Sequence, residues 1–321
     1  AMATISAIGN VMIPEMLKRG YSRAYAAAVV ASSCFLGILI PPSVPGILFG
    51  LCAGVNISDI WLCTVGPGIL IGVLYCVANY FIRKRHEKQS PEPFVASKYI
   101  ANVVSSTQNA IGALLMPIII FGGIYGGIFT PTEAGAVAAV YGLVYFVLKI
   151  IFKIGKIEIS LWKLTIDSAV STAAISMLLV FSNTAGRVVS LIGVSDVLAG
   201  FVIENFHSTG IFLLILNIIF LFLGMIIDIN GAVMIMVPLL MPSVHALGID
   251  PVHFGGIVLV NLSIGFITPP FAISIFVACK IANAPFGAVV KECIPYILIG
   301  LVAIVITTYV PPIALFLPSL L

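Results

Sequence analysis

Charged side chains are scarce in this sequence. Asp, Glu, Lys and Arg account for 8% of the 321 residues and hydrophobic residues for 61%, whereas a soluble domain carries about 25% charged residues. The sequence also lacks a nucleophile elbow, a phosphate-binding loop and a dinucleotide fingerprint, which argues against an ATP-driven pump. No basic patch interleaved with aromatic residues indicates nucleic acid as a partner.

Cysteine and histidine do not indicate a disulfide framework or a metal centre. The six cysteines lie in apolar stretches and the four histidines lack metal-ligand spacing, so we interpret the thiols as small buried hydrophobic groups. No acid–base pair lies within an apolar stretch, which disfavours an intramembrane enzyme. We therefore expect a protein that is not an enzyme and has no cofactor.

Long apolar stretches without charge dominate the chain instead. Each exceeds the roughly 20 residues that an α-helix needs to cross a bilayer, and a soluble helix is rarely apolar on every face. The sequence therefore predicts an all-α membrane protein with several spans. The charge-free stretches are Ala24–Ser58, Ile60–Ile82, Tyr99–Thr132, Phe254–Cys279 and Cys293–Leu321.

The basic residues predict the orientation of these spans. Lys and Arg cluster in three short loops, at 18–23, 83–98 and 149–163, while residues 241–253 contain none. Cytoplasmic loops are enriched in Lys and Arg. The three basic loops are therefore predicted to lie in the cytoplasm, and residues 241–253 are predicted to lie outside.

Two regions of the sequence match when they are shifted by 228 residues. Because the matched loops are predicted on opposite sides, the pattern is typical of an inverted-topology repeat, in which ion and substrate sites lie near the midplane on broken helices. Chance recurrence of glycine and proline in apolar sequence is the alternative. The matches join Gly20-Tyr21-Ser22 to Gly248-Ile249-Asp250, Gly37 to Pro42 with Gly265 to Pro270, and Pro67 to Gly72 with Pro295 to Gly300.

The repeat divides the chain into three parts. Residues 1–82 form a first repeat, with the second arm of a hairpin, a broken helix and a following span. Residues 83–165 form a basic loop and linking scaffold spans. Residues 166–321 form the second repeat, with a span, an outer interfacial segment at 188–206, a hairpin at 209–240, a broken helix and a last span.

The two double prolines are the strongest chemical signal. A proline lacks an N–H, so in an otherwise helical segment the carbonyl four residues earlier loses its partner. Such carbonyls are costly in lipid unless something binds them, and a hard cation prefers oxygen ligands. We therefore predict sodium sites at both breaks, with a simple proline kink as the alternative. The first site comprises Gly37, Ile38, Pro41, Pro42 and Ser43.

The other half of the second site is predicted at the tip of the hairpin, around residues 224–232. Asp228 is an ionisable residue in an apolar segment, which favours a functional role. Capping of the hairpin's second helix is an equally good and compatible role for Asp228. The second site comprises Gly265, Phe266, Thr268 and Pro269 from the break and Asp228, Asn230 and Gly231 from the tip.

Several motifs together resemble the large membrane subunit of a TRAP (tripartite ATP-independent periplasmic) transporter. Thr130-Pro131-Thr132-Glu133 among them also predicts a helix capping box. The similarity covers the whole chain, and the combination is more specific than any one motif. The motifs are Ile13-Pro14-Glu15-Met16 to Gly20-Tyr21, Ile40-Pro41-Pro42-Ser43, Thr130-Pro131-Thr132-Glu133-Ala134, Gly248-Ile249-Asp250-Pro251 with the following Val252-His253-Phe254-Gly255, and Thr268-Pro269-Pro270.

The resemblance implies an elevator-type, sodium-coupled symporter in a bacterial inner membrane. Such a transporter receives an organic acid, for example sialic acid or a C4-dicarboxylate, from a periplasmic binding protein, and it has a small (Q) membrane subunit as partner. The Gly-Ser stretch of the family's first hairpin tip is absent before Thr4. We therefore expect further residues ahead of Ala1 in the natural protein. A stand-alone sodium/carboxylate symporter without a binding protein is the alternative.

Overall fold

The structure is a computed structural model of the chain, and it describes residues 2–86, 96–152, 160–193 and 208–320, with 197, 200, 201 and 204 between the last two ranges. The described residues form helices and no strand. The first eight are α1 Met2–Lys18, α2 Arg23–Ser33, α3 Leu36–Leu39, α4 Val44–Ala53, α5 Ile57–His86, α6 Ala96–Tyr125, α7 Pro131–Ile151 and α8 Leu161–Leu191. The others are α9 Thr209–Ile226, α10 Ile229–Ala246, α11 Pro251–Gly265, α12 Ile273–Ala282, α13 Phe286–Tyr309 and α14 Pro312–Leu315, followed by a 3₁₀ turn at Pro318–Leu320.

The chain is an all-α, multi-pass membrane protein. Within the described residues six helices, α5, α7, α8, α9, α10 and α13, are long and apolar enough to cross a bilayer, and the bent pair formed by Arg23–Leu39 and Val44–Ala53 gives a seventh. The predicted interfacial segment at 188–206 begins inside α8, and most of it lies outside the described residues.

The helices of the two predicted repeats correspond in order and position. Helix α2 begins at Arg23 and α11 begins at Pro251, 228 residues later, and α1, α4 and α5 precede or follow α2 as α10, α12 and α13 do α11. The predicted local signals are confirmed as well. Gly20 and Gly248 have φ angles of 81° and 65°, in the left-handed region that glycine tolerates.

The predicted caps of these helices are also present. The Ser22 side chain accepts a hydrogen bond from the Tyr25 amide, and the Asp250 side chain accepts from the Val252 and His253 amides. In α7 the complete capping box forms between Thr130 and Glu133. These bonds fix where the three helices begin, because the first amides of a helix have no partner within it.

The described chain forms two compact units. One contains residues 1–89 and 177–321, and the other contains residues 90–176. The second unit includes α6 and α7, joined by a 2.7 Å hydrogen bond from the Tyr141 hydroxyl to the Gly112 carbonyl. The boundaries predicted at 82 and 165, and the opposite orientation of the two repeats, stay predictions.

Within the larger unit the two sets of repeat helices interleave. Helix α2 packs against α12 and α13, and α11 packs against α5 as well as α9. Helix α11 is buried along its length from His253 to Gly265, so it lies at the centre of the unit rather than against lipid. This position explains why it is apolar all round, since every face of a central helix meets protein.

Candidate ion and substrate site

The first predicted break separates α3 from α4. The two parts are bent by 42°, and the Pro41–Pro42 peptide bond between them is cis. The Ile40 amide donates to the Leu36 carbonyl at 2.9 Å, but the two prolines that follow have no N–H. Among the described residues no backbone amide donates to the Gly37 or Ile38 carbonyl, as the sequence predicts.

The second break separates α11 from α12, and it differs from the first in one respect. The Pro269–Pro270 peptide bond is also cis, but the Thr268 amide donates to the Gly265 carbonyl at 2.9 Å. The prediction that Gly265 has a bare carbonyl is therefore wrong. The helix tightens into a 3₁₀-type turn at its end, which supplies the partner that the prolines cannot.

Phe266 and Thr268 complete the geometry of this break. The Phe266 carbonyl has no backbone donor among the described residues, so one bare carbonyl remains at the second break. The Thr268 hydroxyl donates to the Ile264 carbonyl at 2.8 Å. Its oxygen keeps lone pairs for another partner, because a hydroxyl that donates once can still accept.

The hairpin tip lies between α9 and α10, at Ile227 and Asp228. Asp228 is the N-cap of α10, and its side chain accepts from the Asn230 amide at 3.0 Å. The capping role considered from the sequence is therefore confirmed. It leaves the carboxylate with capacity for a further ligand, since a carboxylate accepts at several lone-pair positions.

One cavity of about 350 Å³ brings the tip of the hairpin and the first break together. Asp228 is the charged residue of its lining, which contains no lysine, arginine or histidine. The predicted residues Pro41, Gly231, Gly265, Thr268 and Pro269 are not part of this lining. The residues that line it are Gly37, Ile38, Pro42, Ser43, Val44 and Pro45 from the first break, Asp228, Ile229 and Asn230 from the tip, and Phe266 from the second break.

The arrangement differs from the sequence prediction in which parts meet. The sequence places the tip opposite the second break as a separate site, whereas the structure places it with Gly37 to Pro45 of the first repeat and with Phe266. Residues of both predicted sites thus line one space. Sodium binding at these residues stays a prediction.

Comparison with known proteins gives the family of this chain. The family model for the tripartite ATP-independent periplasmic transporter, DctM component, matches residues 1–313. The chain belongs to this family. It therefore carries the fold of a TRAP large permease, as its motifs indicate.

Individual TRAP permeases are similar to the chain along almost its whole length. It is 35% identical to the isethionate TRAP transporter permease protein DctMQ of Oleidesulfovibrio alaskensis, over 98% of the chain and 48% of that relative. It is 33% identical to the C4-dicarboxylate TRAP transporter large permease protein DctM of Pseudomonas aeruginosa, over 99% of the chain and 73% of that relative. It is 32% identical to the sialic acid TRAP transporter large permease protein SiaM of Vibrio cholerae, over 100% of the chain and 73% of that relative.

Two polar side chains at the cavity of this TRAP permease have no hydrogen-bond partner among the described residues. They are the buried hydroxyl of Ser43, a residue that is 5% exposed, and the side-chain oxygen of Asn230. Buried polar atoms are normally hydrogen-bonded, and each exception requires an explanation. Together with the carbonyls of Gly37 and Ile38 they form a set of oxygen atoms of the kind that a hard cation binds.

Two residues that the sequence analysis did not assign to this site support it from behind. The indole N–H of Trp61 donates to the Ser43 carbonyl at 3.2 Å, and a Cβ on Gly46 would lie 2.8 Å from Cδ1 of Trp61. A Cβ on Gly37 would lie 3.6 Å from the Thr4 hydroxyl. Trp61 follows the break by many residues, so no local pattern connects it to Ser43.

Proposed function

We propose that this chain is the membrane transport subunit of a sodium-coupled symporter that imports an organic acid delivered by a periplasmic binding protein. The observation that carries the proposal is the cavity, where bare oxygen atoms from a broken helix and from a hairpin tip meet. The proposal places the chain in a bacterial inner membrane, with a small (Q) subunit as partner. A relative whose name joins M and Q supports that partner.

Sodium is the cation that the oxygen atoms favour in this proposal. The first break offers the Gly37 and Ile38 carbonyls and the Ser43 hydroxyl, and the tip offers Asn230 and the carboxylate of Asp228. A carboxylate and neutral oxygens suit a hard cation, while nitrogen and sulfur ligands, which transition metals prefer, are absent from this lining. The Phe266 carbonyl supports a second ion near Thr268 and Pro269.

An organic anion is the substrate that we propose for the same cavity. Its charge would be balanced by bound sodium and by the N-termini of α4 and α10, since Val44, Pro45 and Ile229 in the first turns of these helices line the cavity. The N-terminus of a helix attracts anions. The relatives are named for isethionate, C4-dicarboxylates and sialic acid, and all three are organic acids.

An elevator-type movement is part of the proposal. Both broken helices and the α9–α10 hairpin belong to the larger compact unit, so one body contains the whole cavity. In the proposed cycle this body carries substrate and sodium together, with the hairpin as a re-entrant element whose tip ends at the cavity. The coupling follows if sodium binding favours the state that holds substrate.

Trp61 gives a direct test of sodium binding without transport. We expect its fluorescence to change saturably when sodium replaces choline at constant ionic strength, because its indole contacts Ser43 beside the proposed ion. The test protein is the full transporter with Trp61 as its single tryptophan. Asp228→Asn keeps a good N-cap but removes the charge, so it should raise the half-saturating sodium concentration about tenfold, or ~1.4 kcal/mol. A Trp61 signal that does not respond to sodium would refute the ion site.

Dependence on a soluble protein separates the two function hypotheses. We expect vesicles that contain the full transporter to take up substrate only when the cognate binding protein is added outside, with a sodium gradient and without ATP. Binding protein with no gradient, and gradient with no binding protein, are the controls. Robust uptake of free substrate in the second control would favour the stand-alone symporter.

A further inference from the structure

A chain of buried hydrogen bonds joins three helices of the second repeat well away from the cavity. Asn217 of α9, Asn261 of α11 and Thr308 of α13 are 6%, 0% and 1% exposed. We call these three residues the polar clasp. None of them lines the cavity, and neither the capping nor the ion-binding argument above uses them.

The donors and acceptors of the polar clasp form a continuous sequence. The Asn261 amide group donates to the Asn217 side-chain oxygen at 2.8 Å and to the Ile257 carbonyl at 2.8 Å. The Asn217 amide group donates to the Thr308 hydroxyl at 3.0 Å, which in turn donates to the Ile304 carbonyl at 2.8 Å.

Asn217 is the polar side chain within an otherwise apolar helix. From Gly210 to Ile227 the remaining residues of α9 and its end are aliphatic, aromatic, glycine or methionine. A buried amide without a partner would be costly in this environment. The rotation of α9 that keeps Asn217 bonded is therefore strongly favoured over other rotations.

A second contact fixes the same two helices closer to the tip. A Cβ on Gly265 would lie 2.7 Å from the Gly224 backbone, and a Cβ on Gly224 would lie 2.8 Å from the Leu262 carbonyl. Asn217 meets Asn261 and Gly224 meets Gly265, so the contacts follow the same order along both helices. Helices α9 and α11 therefore run side by side in the same direction and end at the same level, where Asp228 and Phe266 both line the cavity.

We propose that Asn217, Asn261 and Thr308 are positioning residues that set the depth and rotation of α9 and thereby hold the hairpin tip at the cavity. The clasp acts through Asp228 and Asn230, which follow α9 directly, and it makes α9, α11 and α13 one rigid part of the transporter. The inference rests on the proposed function only in that sodium is the ligand used to measure the position of the tip.

The test compares Thr308→Val, which keeps the shape but removes the hydroxyl, with Thr308→Ser, which keeps the hydroxyl. We expect Thr308→Val and Asn217→Leu each to raise the half-saturating sodium concentration, read from Trp61 fluorescence, by about threefold or more. Threefold corresponds to ~0.6 kcal/mol, a typical value for one hydrogen bond between membrane helices. The double variant should add little to the larger single effect, and maximal uptake with binding protein at saturating sodium should change less than the half-saturation.

Tyr141→Phe is the matched control, because it removes one hydrogen bond between helices in the other compact unit. We expect it and Thr308→Ser to bind sodium as the unchanged protein does. The inference is overturned if Thr308→Val lowers the melting temperature but leaves the sodium half-saturation unchanged, or if Thr308→Ser is as impaired as Thr308→Val. An unchanged parent protein that shows no sodium response would instead refute the proposed function, so the two failures are distinguishable.

Discussion

Replacing Gly265 with alanine is expected to destabilise the transporter by about 2 kcal/mol, although alanine is the better helix former. The helix propensity of alanine contributes about 1 kcal/mol in favour of the variant. Against it stands overpacking, which costs about 1–3 kcal/mol and reaches the upper end where nothing can yield. The new methyl group would lie 2.7 Å from the Gly224 backbone and 2.8 Å from the Leu221 carbonyl. Backbone atoms cannot rotate away, so the clash should prevail.

The matched variant for this prediction is Gly37→Ala, at the repeat-related position. A Cβ on Gly37 would lie 3.6 Å from the Thr4 hydroxyl, which is an ordinary contact distance. We expect Gly37→Ala to keep the melting temperature of the unchanged protein in detergent, and Gly265→Ala to lower it by several degrees. Equal melting temperatures for the two variants would show that α9 and α11 do not approach as closely as the structure has them.

This pair of glycines shows what the sequence could and could not predict. The match between Gly37 and Gly265 follows from the constant shift of 228 residues, and the breaks after them follow from the prolines. Such signals are local, because a proline removes its own N–H and a cap bonds amides within a few residues. The caps at Ser22, Asp250 and Thr130 were predictable for the same reason.

The roles that differ between matched residues depend on packing, which the shift does not reveal. Gly265 touches the hairpin arm, while Gly37 faces the cavity. His253 looks like a loop residue in the sequence, but it lies in the first turn of α11, is 5% exposed, and its Nε2 is 2.9 Å from the Thr307 carbonyl. The polar clasp was also missed, because its members lie far apart in the chain and no short pattern joins them.

The two breaks should therefore contribute unequally to ion binding. The Gly265 carbonyl already receives the Thr268 amide, so one lone pair there is in use. The Gly37 and Ile38 carbonyls receive no backbone amide among the described residues, and both residues line the cavity with Ser43. A change that fills these two carbonyls should remove more ligands than the same change at the second break.

Pro41→Ala combined with Pro42→Ala is such a change, and we expect it to weaken sodium binding at least about tenfold, or ~1.4 kcal/mol. The new amides at 41 and 42 can donate to the carbonyls four residues earlier, at Gly37 and Ile38, so a continuous helix would withdraw both from the cavity. The protein should still insert, because a continuous helix satisfies its own backbone in lipid. Pro269→Ala with Pro270→Ala is the comparison, with a smaller expected effect, since Gly265 already has a partner. Sodium titrations of Trp61 fluorescence and of uptake measure both variants. An unchanged half-saturation in a well-folded first variant would show that Pro41 and Pro42 only bend the helix and that the ion is bound elsewhere.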